Sequence, residues 1–166
     1  MDGSMAIGHV RVTKRDKVTG EITFDRTYKN QITNYAREQV ALVWTGAQGV
    51  VFPSQIAVGV GAPPPDISGT TPNDTELWAE LSGTRKLVDY ATVWLTYYTQ
   101  YSVTYQQNEA VDLSDPVNNP NGTVSITEAG LFDANGNLWS HVSLTDVVHD
   151  TTQTLSIQWQ VLHQGN

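Results

Sequence analysis

Ile126-Thr127-Glu128-Ala129-Gly130-Leu131-Phe132-Asp133-Ala134-Asn135-Gly136-Asn137-Leu138 is the stretch from which the rest of the chain is read. Apolar residues alternate over residues 124–132, Asp133-Ala134-Asn135-Gly136-Asn137 is a turn, and residues 138–144 alternate again. Asn-Gly between two such runs predicts a β-hairpin, because the pair accepts the left-handed backbone of hairpin turns. The alternation slips at Glu128-Ala129-Gly130. That slip predicts a bulge at Glu128 and Gly130, with Gly130 valued for its missing side chain. Further on, Leu155, Ile157, Trp159 and Val161 alternate with Thr154, Ser156, Gln158 and Gln160, a last half-buried strand.

The same reading extends towards the N-terminus. Tyr97, Thr99, Tyr101, Val103 and Tyr105 alternate with polar neighbours, a half-exposed strand with an aromatic ladder. Residues 87–95 are apolar on both faces and read as a central strand. Residues 112–122 have no periodicity and form a surface loop. Asp74 suits the N-cap of a short helix holding Leu77 and Leu81. In Gln55-Ile56-Ala57-Val58-Gly59-Val60-Gly61, one face is Ala57, Gly59 and Gly61, so another backbone is expected to approach closely there. Thr33 or Asn34 caps a helix whose apolar face is Ala36, Val40, Val43 and Trp44, and Gly46 ends it. Val10-Arg11-Val12-Thr13 and Glu21-Ile22-Thr23-Phe24 flank a turn, giving an N-terminal hairpin over residues 8–28. The fold class is mainly β: an antiparallel β-sandwich over residues 30–166 with one or two short flanking helices, and an N-terminal hairpin arm over residues 1–29.

Composition narrows the function classes. The chain has 166 residues, enough to bury a core without disulfides or metals. It has no cysteine, which excludes a disulfide scaffold, a thiolate zinc site and a cysteine nucleophile. Its 17 acidic against 9 basic residues, net −8, argue against contact with nucleic acid. No run is long and apolar enough for a membrane span, and the N-terminus lacks the signal-peptide pattern. Seven of the nine basic residues fall in the first 38 positions.

Sites of chemistry find little support. His9, His141, His149 and His163 are scattered, and Asp146-Val147-Val148-His149-Asp150 offers at most two ligands on one side, too few for a metal. The 133–137 turn lacks the alternating acids and trailing glutamate of a calcium loop. Ser125, Ser140 and Ser156 lie within strands with no nucleophile elbow. Gly59-Val60-Gly61 runs into Pro63-Pro64-Pro65, which removes the amide donors a phosphate loop needs. A carboxylate pair drawn from Glu80, Asp89, Glu109 and Glu128 is a residual possibility for acid–base work. Trp94, Tyr97, Tyr98, Tyr101 and Tyr105 suit either core contacts or a sugar-stacking platform, with core contacts expected. No catalytic residue, cofactor or metal is expected, and the chain is not expected to be an enzyme.

Several segments, taken in order, resemble a family of tailed-bacteriophage structural domains, the N-terminal domains of tail-collar and tail-fibre proteins and their small stand-alone relatives. They are Asn30-Gln31-Ile32-Thr33-Asn34-Tyr35-Ala36, then Ile56-Ala57-Val58-Gly59-Val60-Gly61-Ala62-Pro63, then Thr75-Glu76-Leu77-Trp78-Ala79-Glu80 with Arg85. The opening stretch is similar to the family's I-x-E-x-G-L-x-D-x-x-G-x-L hairpin, and residues 153–161 to its last strand. The likeness covers about residues 28–162 and carries no catalytic residues. It departs in the long 112–122 loop and in the N-terminal hairpin.

The resemblance implies a non-enzymatic structural protein of a virion, located on the capsid exterior or in the tail. With no fibre shaft following in this sequence, a capsid decoration (cement) protein is the first expectation. A tail, collar, baseplate or fibre-attachment component is the alternative, and a carbohydrate-binding module is another. The expected partners are further copies of the chain, in a homo-oligomer of trimeric form, and virion proteins such as the major capsid protein or tail proteins. Neither nucleic acid nor membrane is expected. The hairpin is expected to be an assembly arm reaching a neighbouring subunit. Val10, Val12, Ile22 and Phe24 would hold it, and Arg11, Lys14, Arg15, Lys17 and Arg26 would face acidic surface.

Overall fold

The computed structural model describes residues 7–66, 68–94 and 98–162. Its strands are β1 (Ile7–Asp16), β2 (Ile22–Ile32), β3 (Pro53–Gly59), β4 (Lys86–Leu87), β5 (Tyr90–Trp94), β6 (Tyr98–Tyr105), β7 (Val124–Asp133), β8 (Leu138–His149) and β9 (Gln153–Leu162). One helix, α1 (Asn34–Trp44), follows β2. The strands hydrogen-bond in the order β4-β3-β7-β8-β2-β1-β9-β6-β5, all antiparallel. The order folds over into two layers, joined where Gln31 and Ile32 of β2 pair with His141 and Ser140 of β8. The fold is mainly β, an antiparallel sandwich that nearly closes on itself.

Alternation explains the core. Val10 and Val12 of β1, Val103 and Tyr105 of β6, and Leu155, Ile157 and Trp159 of β9 turn inward from one layer. Ile56, Val58, Ile126, Leu131, Val142 and Val147 meet them from the other. Apolar area leaving water is the main stabilising term, and period-two spacing puts it on one face of each strand.

The helix obeys the expected signals. Thr33 is the N-cap and accepts from the Ala36 amide. Gly46 adopts φ +72°, and the Gly46 and Ala47 amides bond the Val43 and Leu42 carbonyls, a Schellman closure. Ala36 is buried, while Val43 and Trp44 are exposed, so the apolar face continues beyond the sandwich.

Four expectations need correction. The N-terminal hairpin is not an arm. β1 lies between β2 and β9, paired with β9 from Ile7 to Asp16, and Val10 and Val12 are fully buried in their own core. A hairpin whose apolar face fits its own sheet has no need of a neighbour. Division at residue 29 therefore cuts through one hydrogen-bonded layer; residues 1–6 lie outside the described residues.

Residues 87–95 do not form a central strand. β4 borders β3, Val88 donates to Ser54 O, Asp89 donates to Ser102 O, and β5 borders β6. This run crosses the seam and serves both outer edges, which no single register allows a central strand to do. Residues 74–81 form no helix. Val60 donates to Ala79 O and Leu81 to Val58 O, so the segment is spent extending the edge of β3. This is the backbone approach that the Ala57, Gly59 and Gly61 face anticipates.

The bulge borders Glu128 and does not include Gly130. Glu128, Ala129 and Gly130 pair regularly with Ser143, Val142 and His141. The register instead shifts between Ile126 and Glu128 and again between Leu131 and Phe132. The lost alternation over 128–133 has another cause: β7 is buried on both faces there.

Candidate functional site

The segments quoted for the resemblance converge on β7 and β8. Glu128 is at their centre and is fully buried. Its Oε1 accepts from the amides of Ala79 (2.7 Å) and Gly61 (3.2 Å), and its Oε2 from the amide of Trp78 (2.8 Å). Gly59 and Gly61 leave the space for this. A Cβ at Gly59 would stand 2.4 Å from Glu128 Oε1, and one at Gly61 would stand 2.5 Å from the Ala79 nitrogen. Burial pushes the Glu128 carboxyl up, but the His141 contact and the backbone amides outweigh it and hold it below the usual carboxylate range.

His141 bridges two carboxylates. Its Nε2 is 2.9 Å from Glu128 Oε2, and its Nδ1 is 2.7 Å from Asp74 Oδ2. Carboxylates only accept, so both contacts are hydrogen bonds only when both ring nitrogens carry hydrogen. The Trp78 ring lies 4.7 Å from the imidazole, centroid to centroid, in a tilted contact. Asp74 also accepts from the Thr71 amide (2.9 Å) and hydroxyl (2.7 Å), so the expected cap residue organises a loop instead. Thr127 donates its hydroxyl hydrogen to Gly61 O. One carboxylate and one imidazole thus fasten residues 61–80 to the sheet.

Asp133 performs a second fastening. Its Oδ1 accepts from the Asn135 and Asn137 amides, and its Oδ2 from the Tyr35 hydroxyl and the Asn137 side-chain amide. Gly136 completes the turn at φ +86°. Burial raises the Asp133 carboxyl, but these donors together hold it below its ordinary value. Thr33 donates to Leu138 O, and Asn30 to the Ser140 hydroxyl. Arg85 lies 4.0 Å over the Phe132 ring and pairs with Glu80 at 2.5 Å.

Both ring nitrogens of His141 are engaged within this cluster. A catalytic histidine needs one nitrogen free for a nucleophile or substrate, and both of these are taken. The two carboxylates contact different ring nitrogens, so the three side chains do not converge on one ion. Among the described residues no other histidine and acid group is placed to hold a metal. His149 is buried, its Nε2 3.2 Å from Glu109 O, and burial pulls it below its ordinary value. His9 is exposed, and His163 lies outside the described residues.

The remaining expected site residues separate. Arg11 pairs with Asp25 of its own hairpin (2.6 Å), Arg15 donates to Gly20 O, and Lys14 is buried with Val148 O and Gln153 as partners. Phe24 packs on the core beneath Lys14 and Arg26. Ile22 and Lys17 are exposed. Glu80, Asp89 and Glu109 have separate partners, Arg85, Thr104 and Lys86, and form no carboxylate pair with Glu128. Ser140 bonds Gln31 O and Ser156 bonds Thr104. Tyr101 and Tyr105 turn into the core, and Tyr105 donates between Ile56 O and Thr84 O, so neither offers a stacking face. Tyr97 and the side chains of Trp94 and Tyr98 lie outside what the structure describes.

Sequence reasoning passed over His141 and Asp74 as partners of Glu128. No signal within 13 residues of Glu128 names either; only the E in the hairpin pattern marks a buried acid needing donors. Comparison with protein-family models, with curated proteins and with solved structures finds no match to this chain.

Proposed function

We propose that this chain is a non-enzymatic structural protein of a tailed-phage particle, of the capsid-decoration kind, acting through protein–protein contacts. The observation that carries this reading is the convergence around Glu128 and Asp133. Segments around Asn30, Gly59, Trp78, Arg85 and Gly130 resemble the phage structural domains in order and spacing. Each supplies a cap, a cradle, an amide donor or a ring contact to the same buried region. Residues spent this way preserve a scaffold and leave none of the group free for chemistry.

The surface suits association. Among the described residues, β2 pairs only with β1 from Ile22 to Asn30, which leaves an edge. Leu42, Val43, Trp44 and Phe52 expose apolar side chains around the end of α1.

The test is quantitative mass spectrometry of density-purified particles from the phage or phage-like element that encodes the chain. Hundreds of copies per particle are expected. A small multiple of three or six moves the protein to the tail or collar and overturns the decoration assignment. Absence from particles overturns the whole reading.

A further inference from the structure

Between α1 and the strands it covers lies a cavity of about 460 Å³. Ala36, Val40 and Trp44 of α1 contribute one wall, and Leu131, Trp139 and Val161 of the strands contribute another. Small-molecule sites commonly span about 300–1,000 Å³ and join an apolar lining to a few polar groups. This cavity has that character.

Its lining carries the hydroxyl residues Thr99, Tyr101 and Ser140, and two nitrogen donors that lack partners. Among the described residues of the lining, Arg37 alone is charged. Its Nε is buried without a hydrogen-bond partner, and so is Nε1 of Trp139, a residue only 8% exposed. They are two of six buried side-chain atoms without a partner among the described residues. Both are donors that cannot accept. A buried tryptophan N–H ordinarily finds an acceptor, and an unsatisfied one calls for a missing partner. Among the described residues no carboxylate lines the cavity, although the chain carries a net charge of −8.

We propose that this cavity binds a medium-chain fatty acid, whose carboxylate accepts from Arg37 and Trp139 and whose acyl chain lies among the apolar side chains. A sugar would set most of its hydroxyls against a lining that is mainly apolar. A hydrocarbon without a head group would leave both donors unmet. An anion without an apolar body would leave most of the cavity empty. This site is independent of the particle assignment, since a decoration protein or any other sandwich could carry it.

The experiment is calorimetric titration of the whole chain with octanoate, decanoate and dodecanoate, with tryptophan fluorescence as a second readout. Decanol serves as the uncharged control, and an apolar peptide with a free C-terminal carboxylate as the competitor. At least one fatty acid is expected to bind at micromolar concentration. Arg37→Gln, checked for an unchanged fold by circular dichroism, is expected to weaken it about tenfold, the loss of a charge-assisted hydrogen bond. Ala41→Phe narrows the cavity from the exposed side of the helix and is expected to abolish binding while the melting temperature holds. Three outcomes overturn the proposal: no saturable binding by any of the acids, decanol binding as tightly as decanoate, or the peptide binding more tightly than every fatty acid.

Discussion

Tyr35 of the helix donates its hydroxyl hydrogen to Asp133 Oδ2 at 2.7 Å, 98 residues away at the head of the β7–β8 hairpin. Burial, and then this carboxylate, raise the Tyr35 hydroxyl above its ordinary value, so it stays a donor at neutral pH. The same aspartate orders the turn amides, so helix position and turn geometry share one acceptor. Tyr35→Phe is expected to cost about 1 kcal/mol, and Asp133→Ala about 2–3 kcal/mol because several donors lose their partner. In urea denaturation the double variant should cost less than the sum of the single ones. Strict additivity would show that the two residues are not coupled.

Glu128 should set the acid limit of the fold. Its folded value is held below the ordinary one, so its contribution is fully present above about pH 4.5 and is lost as pH falls through the folded value. Glu128→Gln places an amide group against three backbone donors and removes one partner of His141. It is expected to cost about 1–3 kcal/mol, in line with leaving buried donors unsatisfied. The variant should also show a flatter stability curve between pH 5 and pH 3, measured by denaturant midpoint. Parallel curves for the two proteins would contradict the assignment.

His149 should act in a different window with the same sign. Its folded value is depressed by burial, so the unfolded chain binds the proton first. Stability should fall as pH drops through about 6.5, the value of a free histidine. His149→Gln should flatten the curve between pH 7 and pH 5.5 while leaving the acid limb below pH 4.5 in place.

The sequence made the strands legible wherever one face was wet. β1, β6 and β9 alternate because water lies on one side, and their partners follow. It misled where burial is two-sided or where one run serves two sheets. β7 loses its alternation from Glu128 onward because both faces are covered, and this blurs the position of the register shift between Ile126 and Glu128. Residues 86–94 straddle the seam, a relation that no local pattern encodes. Around the site, Gly59 and Gly61 announced a close approach, yet the approaching segment read as a helix because Leu77 and Leu81 fall four apart. The winning term is tertiary: three amides satisfied by Glu128 and the edge of β3.

Gly130 is required for space. A Cβ there would stand 2.6 Å from Phe132 Cε2 and 2.8 Å from Leu138 Cδ1. Arg85 lies 4.0 Å over the Phe132 ring, which restrains the ring's movement. Gly130→Ala is expected to cost about 1–3 kcal/mol and Gly130→Val more, as overpacking does. A Gly130→Val protein that melts with the parent would refute this.

Removal of residues 1–27 decides how the hairpin is used. An arm lying on a neighbour could be deleted without unfolding the sandwich. Here β1 stands between β2 and β9 and bonds to β9 over ten residue pairs, from Ile7–Leu162 to Asp16–Gln153. Deletion would expose one long edge of β9 and open the core over Ile157 and Trp159, both fully buried. It would also remove Val10 and Val12, whose burial contributes about 1.5–3 kcal/mol each. Against a total stability of about 5–15 kcal/mol for a domain, that loss is decisive. The truncated chain should be insoluble or unfolded, with no cooperative melt. A narrower change separates the hairpin's packing from its charges. Val12→Ala should cost about 1–3 kcal/mol, whereas Arg11→Gln, breaking an exposed pair with Asp25, should leave the melting temperature nearly unchanged. If the truncated chain folds with an unchanged melting temperature, the hairpin belongs to a neighbour after all.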